Sequence, residues 1–255
     1  MNCHYLKINQ DKTDALLVKP KTRSNIPIID SLFVDYGDFT IVESQIVSLL
    51  GVRVDELLSV KPFVSKKCQA CSFHLKNFYH IKNCLPQHTR VLLVNNFILS
   101  KLDYCNSLLA NATLQDIKPL QKVLNSAVRF IFNLKWNDHT TPFLFKLHFL
   151  PITHRIEFKL CIIAFKIVNG NAPPYLSDFF QQYQATTDIG LRMGFGRDSL
   201  MLEVVNHTYS ERNVIGKIKE KWNKLPLTLR QVKDYAIFKR QLKTILFKSA
   251  FQELL

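Results

Sequence analysis

Cations recur on one side of three helical stretches of this 255-residue chain. In residues 151–169, Arg155, Lys159 and Lys166 share a face while Ile156, Phe158, Leu160, Ile163, Phe165 and Ile167 fill the rest. Lys122, Asn125 and Arg129 do the same in 119–134, and Lys239, Arg240 and Lys243 in 234–250. Like charges four residues apart cost an isolated helix roughly 0.2–0.5 kcal/mol, so a bound anion would relieve them. The chemistry such faces offer is contact with phosphate oxygens, which positions a nucleic acid without reading its bases. Ordinary solvated faces are the plain alternative. Lys101 stands apart, inside an apolar arc with Phe97, Ile98, Tyr104 and Cys105. Its stem either lies along the core while the ammonium reaches water, or the ammonium is one more phosphate contact.

Other chemistries find less support. Cys68-x2-Cys71-x2-His74, with His80 and Cys84 downstream, invites zinc, but the segment is helical by pattern and lacks the ligand spacing of a tight loop. Cys71, Leu75, Phe78 and Tyr79 make a helical core stripe instead. FVDYGD at 33–38 superficially resembles the aspartate turn of a polymerase. Two-metal phosphoryl transfer needs carboxylates converging on ions about 3.5–4 Å apart; Asp35 and Asp38 are not adjacent, and a hairpin turn explains them. No serine or cysteine nucleophile has a supporting histidine, and no carboxylate pair has an acid–base context. With 7 glycines and neither G-x-x-x-x-G-K-[ST] nor G-x-G-x-x-G, a nucleotide-cradling loop and a small-molecule substrate are unsupported.

The elements that must position these residues follow from composition and punctuation. Hydrophobic content of 47% with 11% aromatics implies a folded chain. Net charge is +14 and uneven: residues 1–60 hold 6 basic and 8 acidic side chains, 61–150 hold 12 and 3. That excess points to polyanions, nucleic acid ahead of an anionic membrane. Six cysteines in a chain this long suit reduced intracellular thiols, and the polar start suits no signal peptide. The best apolar stretches are interrupted by Asn95, Asn96, Lys159 and Lys166, so a soluble cytoplasmic or nuclear protein is expected. Residues 14–55 read as three or four short strands separated by Pro20, Pro27 and Gly37. Ser59 with Pro62 marks the first helix, and Pro86, Pro142 and Pro151 mark later starts. The stretch 91–109 reads as a scaffold helix, wet only along Asn96, Ser100, Asp103 and Ser107. Thr113 with Asp116 resembles a capping box, Pro119 should kink or restart that helix, and Gly170 closes the helix that begins at Pro151. Residues 181–207 read as a loop or mobile linker, followed by helices near 211–224 and 234–250, the second capped by Asp234. The fold class is mainly α, a multi-helix region after a short α+β portion, divided as 1–58, 59–180 and 181–255.

Several segments, in order, resemble LINE-like, jockey-type non-LTR retrotransposon reverse transcriptases. NCHYLKINQDKTD at 2–14 is similar to that family's N-x-LKLN-x-x-KTE, and SLLGVRVDELL at 48–58 to its LGV-x-x-D-x-x-L. SKLDYCNSLL at 100–109, LQKVLNSAVR at 120–129, LHFLPITHRIEFK at 147–159, WNKLP at 222–226 and FKRQLKTILF at 238–247 resemble the region after the polymerase core. The resemblance implies that residues 1–58 are a palm remnant following the metal-binding aspartates, with a thumb-like helical region and C-terminal helices beyond. Lys12 matches a lysine thought to assist protonation of the leaving pyrophosphate. Magnesium is then expected only in a full-length polymerase. The chain alone is expected to be no enzyme and to need no cofactor. Its basic helices would hold template RNA or an RNA/DNA hybrid. An independent nucleic-acid-binding or protein-interaction helical module is the other reading.

Overall fold

Prolines and capping side chains set most helix starts in the computed structural model, which describes residues 9, 12–18, 33–35, 40–182, 202–204 and 213–254. The protein is mainly α and divides into two compact units, Met1–Gln69 and Ala70–Leu255.

In the first unit, β1 (Phe33–Asp35) pairs antiparallel with β2 (Thr40–Val42), Asp35 lying opposite Thr40. The turn itself, with Gly37 and Asp38, lies outside the described residues, as do Pro20 and Pro27. β3 (Ile46–Leu49) and β4 (Val52–Asp55) form a second hairpin closed by Leu50 and Gly51, at φ 48° and 80°. A two-residue turn with both φ positive matches the right-handed twist of its strands. Glycine adopts that region freely, whereas leucine does so against its Cβ. The expected strands therefore form as two separate two-stranded sheets. The apolar run at 15–18 adds only a bridge from Ala15 to Glu43. The Asp55 carboxylate accepts the Ser59 backbone N–H at 2.6 Å and its hydroxyl at 2.5 Å. Desolvation pushes the Asp55 carboxyl up, but these bonds outweigh it and hold it below the usual carboxylate range. Just beyond this turn α1 (Lys61–His80) begins, with Pro62 in its first turn.

In the second unit, the last turns of α1 bury Cys71, Leu75 and Phe78, while Tyr79 stays largely exposed. Phe78 meets Phe97 and Phe130 at ring distances of 5.7 and 5.8 Å. The scaffold expected over 91–109 is not one helix. α2 (Gln87–Leu93) widens into a π turn over Val94–Leu99, tightens into α3 (Ser100–Asp103) and stops at Tyr104. Cys105 turns left-handed at φ 49°, and a 3-10 turn covers Asn106–Leu109. Only Val94, Ile98, Leu99 and Leu102 are buried along its helical part, while Leu92, Phe97 and Tyr104 are exposed. Asn95 and Asn96 sit in the widened turn, where the Ser100 hydroxyl donates to the Asn96 carbonyl and competes for helix acceptors.

α4 (Leu114–Phe132) opens on the expected capping box, Thr113 and Asp116 exchanging side-chain bonds with each other's N–H at 3.2 Å. It runs on through Pro119 instead of restarting there. Proline removes one helical donor, and the buried seam of Ile117, Leu120, Leu124, Ala127, Val128 and Ile131 holds the helix together across the gap. After α5 (Thr141–Lys146), α6 (Ile152–Val168) ends in a Schellman motif. Gly170, at φ 68°, donates to Ile167, and Asn171 donates to Lys166 at 2.7 Å. α7 (Pro174–Ser177) leads into β5 (Phe180–Gln182), which pairs antiparallel with β6 (Leu202–Val204). Part of the stretch read as a loop is thus strand; Gly190, Gly194 and Gly196 lie outside the described residues. α8 (Val214–Asn223) fastens that strand, because the Asn223 amide accepts the Leu202 N–H at 2.9 Å and donates to its carbonyl at 3.0 Å. α9 (Leu227–Arg230) and α10 (Tyr235–Ala250) complete the chain, Asp234 capping α10 through the Ile237 N–H at 2.7 Å.

The hub is α6. Ile156, Leu160, Cys161, Ala164 and Phe165 are buried along it, and α4, α8 and α10 all pack against it. Phe165 stacks on Phe238 of α10 at 4.4 Å, and Trp222 of α8 approaches Phe238 at 5.8 Å. These rings fix the rotation of α10 about its own axis, which decides where its cations point. Among the described residues no helix is long and apolar enough to cross a membrane.

Candidate nucleic-acid interface

The buried seam of α10 is Phe238, Leu242 and Leu246, spaced by four. One residue further round, Tyr235, Lys239 and Lys243 form a parallel stripe that faces a cleft instead of the core. On α6 the same logic buries Ile156 and Leu160 and turns Arg155, Phe158, Lys159 and Ile162 into that cleft. A third wall comes from Asn95, Leu99 and Asp103, again at fourfold spacing, and residues 147–150 complete the lining. The cleft encloses about 510 Å³ and lies wholly within the second unit.

His148 in this lining is held left-handed, at φ 53°. Its N–H donates to the Phe145 carbonyl and the next N–H to Leu144, both at 3.0 Å, so it occupies the Schellman position where glycine is usual. Its ring packs on Phe247 at 5.1 Å. That packing restrains the imidazole in the cleft lining.

The electrostatics are lopsided. The Arg155 guanidinium grips Asp103 with two bonds, Nε to Oδ1 at 2.7 Å and Nη2 to Oδ2, across 52 residues of sequence. The Asn106 amide supports the pair, donating to Asp103 at 3.4 Å and to the Arg155 carbonyl at 3.5 Å. Arg155 is therefore committed to the wall, and Asp103 is not merely part of a wet stripe. Lys159, Lys239 and Lys243 are exposed, and none has a carboxylate partner among the described residues. Three ammonium groups line a cleft whose one carboxylate is already neutralised, so the cleft carries net positive charge, which attracts anions.

The other residues singled out from sequence do not join it. Lys101 is half-buried on α3, and Lys122 is exposed on α4, both outside the cleft lining. Lys166 is exposed in the last turn of α6, where a cation suits the helix dipole. Arg240 points away from Lys239, into a shallow groove with Thr228, Gln241 and Thr244. Lys12 is exposed in the first unit, its N–H bonded to the Asn9 carbonyl at 3.2 Å. Arg129 leaves the helix face altogether: its Nη2 donates to the Asp138 carbonyl at 3.3 Å, and its guanidinium lies 5.3 Å over the Trp136 ring. Asn95, His148 and Tyr235 line the cleft although the charge pattern did not mark them. The fourfold spacing from Tyr235 to Lys239 and Lys243 carried that information; the left-handed His148 left no sequence signal.

Among the described residues no group of three or more His, Cys, Asp or Glu side chains gathers as metal ligands. Magnesium finds no fit in the cleft either, since its carboxylate is taken by Arg155 and its other charges are cations. Cys71 and Cys161 are buried, and burial pushes the Cys161 thiol up to about 12, far from a thiolate nucleophile. Comparison with protein-family models, with curated proteins and with solved structures finds no match to this chain.

Proposed function

We propose that this chain is the C-terminal part of a jockey-type retrotransposon reverse transcriptase, a palm remnant followed by the thumb-like and C-terminal helices, and that it holds RNA or an RNA/DNA hybrid by the sugar–phosphate backbone. The observation that carries the binding half is the convergence of Lys159, Lys239 and Lys243 on one cleft, from helices whose rotation the Phe165–Phe238 stack fixes. The ordered sequence motifs support the family half. Binding by three ammonium groups is positional and indifferent to base sequence. The chain alone grips nucleic acid and performs no phosphoryl transfer, so purified protein with primer, template and magnesium yields no extension product. Such work belongs in the cytoplasm or nucleus.

The test is affinity for a labelled RNA strand over a range of salt. Each phosphate contact to a single strand contributes a slope of roughly 0.7 in log K against log salt. Reversing Lys159, Lys239 and Lys243 to glutamate together removes about two units of slope. A salt-independent affinity, or an unchanged slope in the triple variant, rejects the cleft as the binding site.

A further inference from the structure

The two tryptophans of this chain sit at opposite extremes: Trp222 is 0% exposed and Trp136 is 80% exposed. Trp136 does not hang on a loose loop. The Asp138 carboxylate accepts the Lys135 N–H at 2.6 Å, and the Asp138 N–H donates back to the Lys135 carbonyl at 3.2 Å, so residues 135–138 form a closed turn. Arg129, at the end of α4, pins the turn from behind through the Asp138 carbonyl and lays its guanidinium 5.3 Å over the indole. Its Nε is buried without a hydrogen-bond partner among the described residues. A desolvated donor of this kind is costly to leave unmade, and here it accompanies a cation placed against a ring that is itself held out into water. Thr140, just past the turn, is buried and anchors its far side.

An indole left in water exposes a large apolar face, which a protein keeps there against the hydrophobic effect. With a cation packed on one face and exposed Lys135 beside it, the remaining surface combines a flat π face with positive charge. Unpaired nucleobases stack on such platforms while their phosphates meet the cations, and paired bases inside a duplex cannot reach them. We propose that Trp136 is a stacking platform for an unpaired base of single-stranded nucleic acid, held rigid by Arg129. This rests on the reading of the protein as a nucleic-acid binder and adds to it a strand preference that the lysine cleft does not supply.

The chain carries its own reporter, because Trp222 is buried and Trp136 alone emits from water. With the 255-residue chain, a 15-residue single-stranded RNA is titrated against tryptophan emission, and a duplex of equal length serves as the comparison. The single strand is expected to quench the solvent-exposed component and the duplex to leave it. Trp136→Ala is expected to weaken single-strand binding by roughly tenfold and to leave duplex affinity unchanged. Trp222 emission verifies that the variant is folded. If the single strand binds without quenching and Trp136→Ala binds it equally well, the platform is rejected while the cleft reading stands. If neither RNA binds, both are rejected. Equal weakening toward single strand and duplex also rejects the strand preference.

Discussion

Two basic helix faces, on α4 and on α10, carry similar charges at similar spacing and meet opposite fates. On α10, Lys239 and Lys243 stay extended in a cleft, opposite Lys159 of a second helix. On α4, the line from Lys122 to Arg129 breaks up. Gln121 donates to Asn125 at 2.8 Å and receives the Ile152 N–H at 2.9 Å, so that side of α4 ties down the start of α6. Arg129 holds the 135–138 turn, and Lys122 stays exposed to water one turn after the equally exposed Lys118. On α10 a neighbouring helix presents a second cation, Lys159, and no carboxylate among the described residues pairs with either Lys239 or Lys243. Where local acceptors lie within reach, the same row becomes scaffolding.

The contrast is broken most severely by unseating α10. Phe238 is fully buried between Phe165 and Trp222, so Phe238→Ala removes a stacked ring and leaves a cavity costing about 3–5 kcal/mol. Urea denaturation measures that loss, and a cost below about 1 kcal/mol would mean that the ring stack does not hold the helix. The α4 side is sharpened by pairing Arg129→Ala with Lys122→Ala. Arg129→Ala is expected to lose about 1.5–3 kcal/mol, because a hydrogen bond to a charged donor and a cation–π contact vanish together. Lys122→Ala is expected to stay within about 0.5 kcal/mol of wild type. Equal effects would erase the difference between structural and solvated cations on that helix.

This difference explains what the sequence could disclose. Helix starts at Pro86, Pro142 and Pro151, the Thr113 capping box and the Gly170 terminus were legible because each depends on a backbone donor or φ angle that neighbouring residues supply. The cations of the cleft were legible as stripes, since helical periodicity is local. Their pairing was not, because Arg155 meets Asp103 across 52 residues and Lys159 shares a cleft with Lys239 across 80. The break at Cys105 escaped for the same reason: a left-handed cysteine within a helical pattern is imposed by tertiary packing over local preference. Pro119 does not restart its helix, since burial of that helix outweighs one missing bond.

Glu220 on α8 shows what happens to lysines that do have a carboxylate between them. It accepts Lys217 at 2.7 Å and Lys224 at 2.6 Å, and these two hydrogen bonds hold its carboxyl down at about 2. A carboxylate lowered from 4.5 on folding contributes stability that is fully present above the unfolded value and is lost as pH falls from 4.5 toward 2. Glu220 and Lys217 are each 36% exposed and Lys224 64%, so water screens the pair and the contribution is below about 1 kcal/mol. Glu220→Gln should therefore be slightly less stable than wild type at pH 7, and the gap should close as the buffer is taken from pH 4.5 to 2. A gap that widens toward acid would mean that protonation of Glu220 does not release the lysines. The same substitution should leave RNA affinity unchanged within about twofold, because freeing two lysines on α8 supplies cations without a facing row to complete a site.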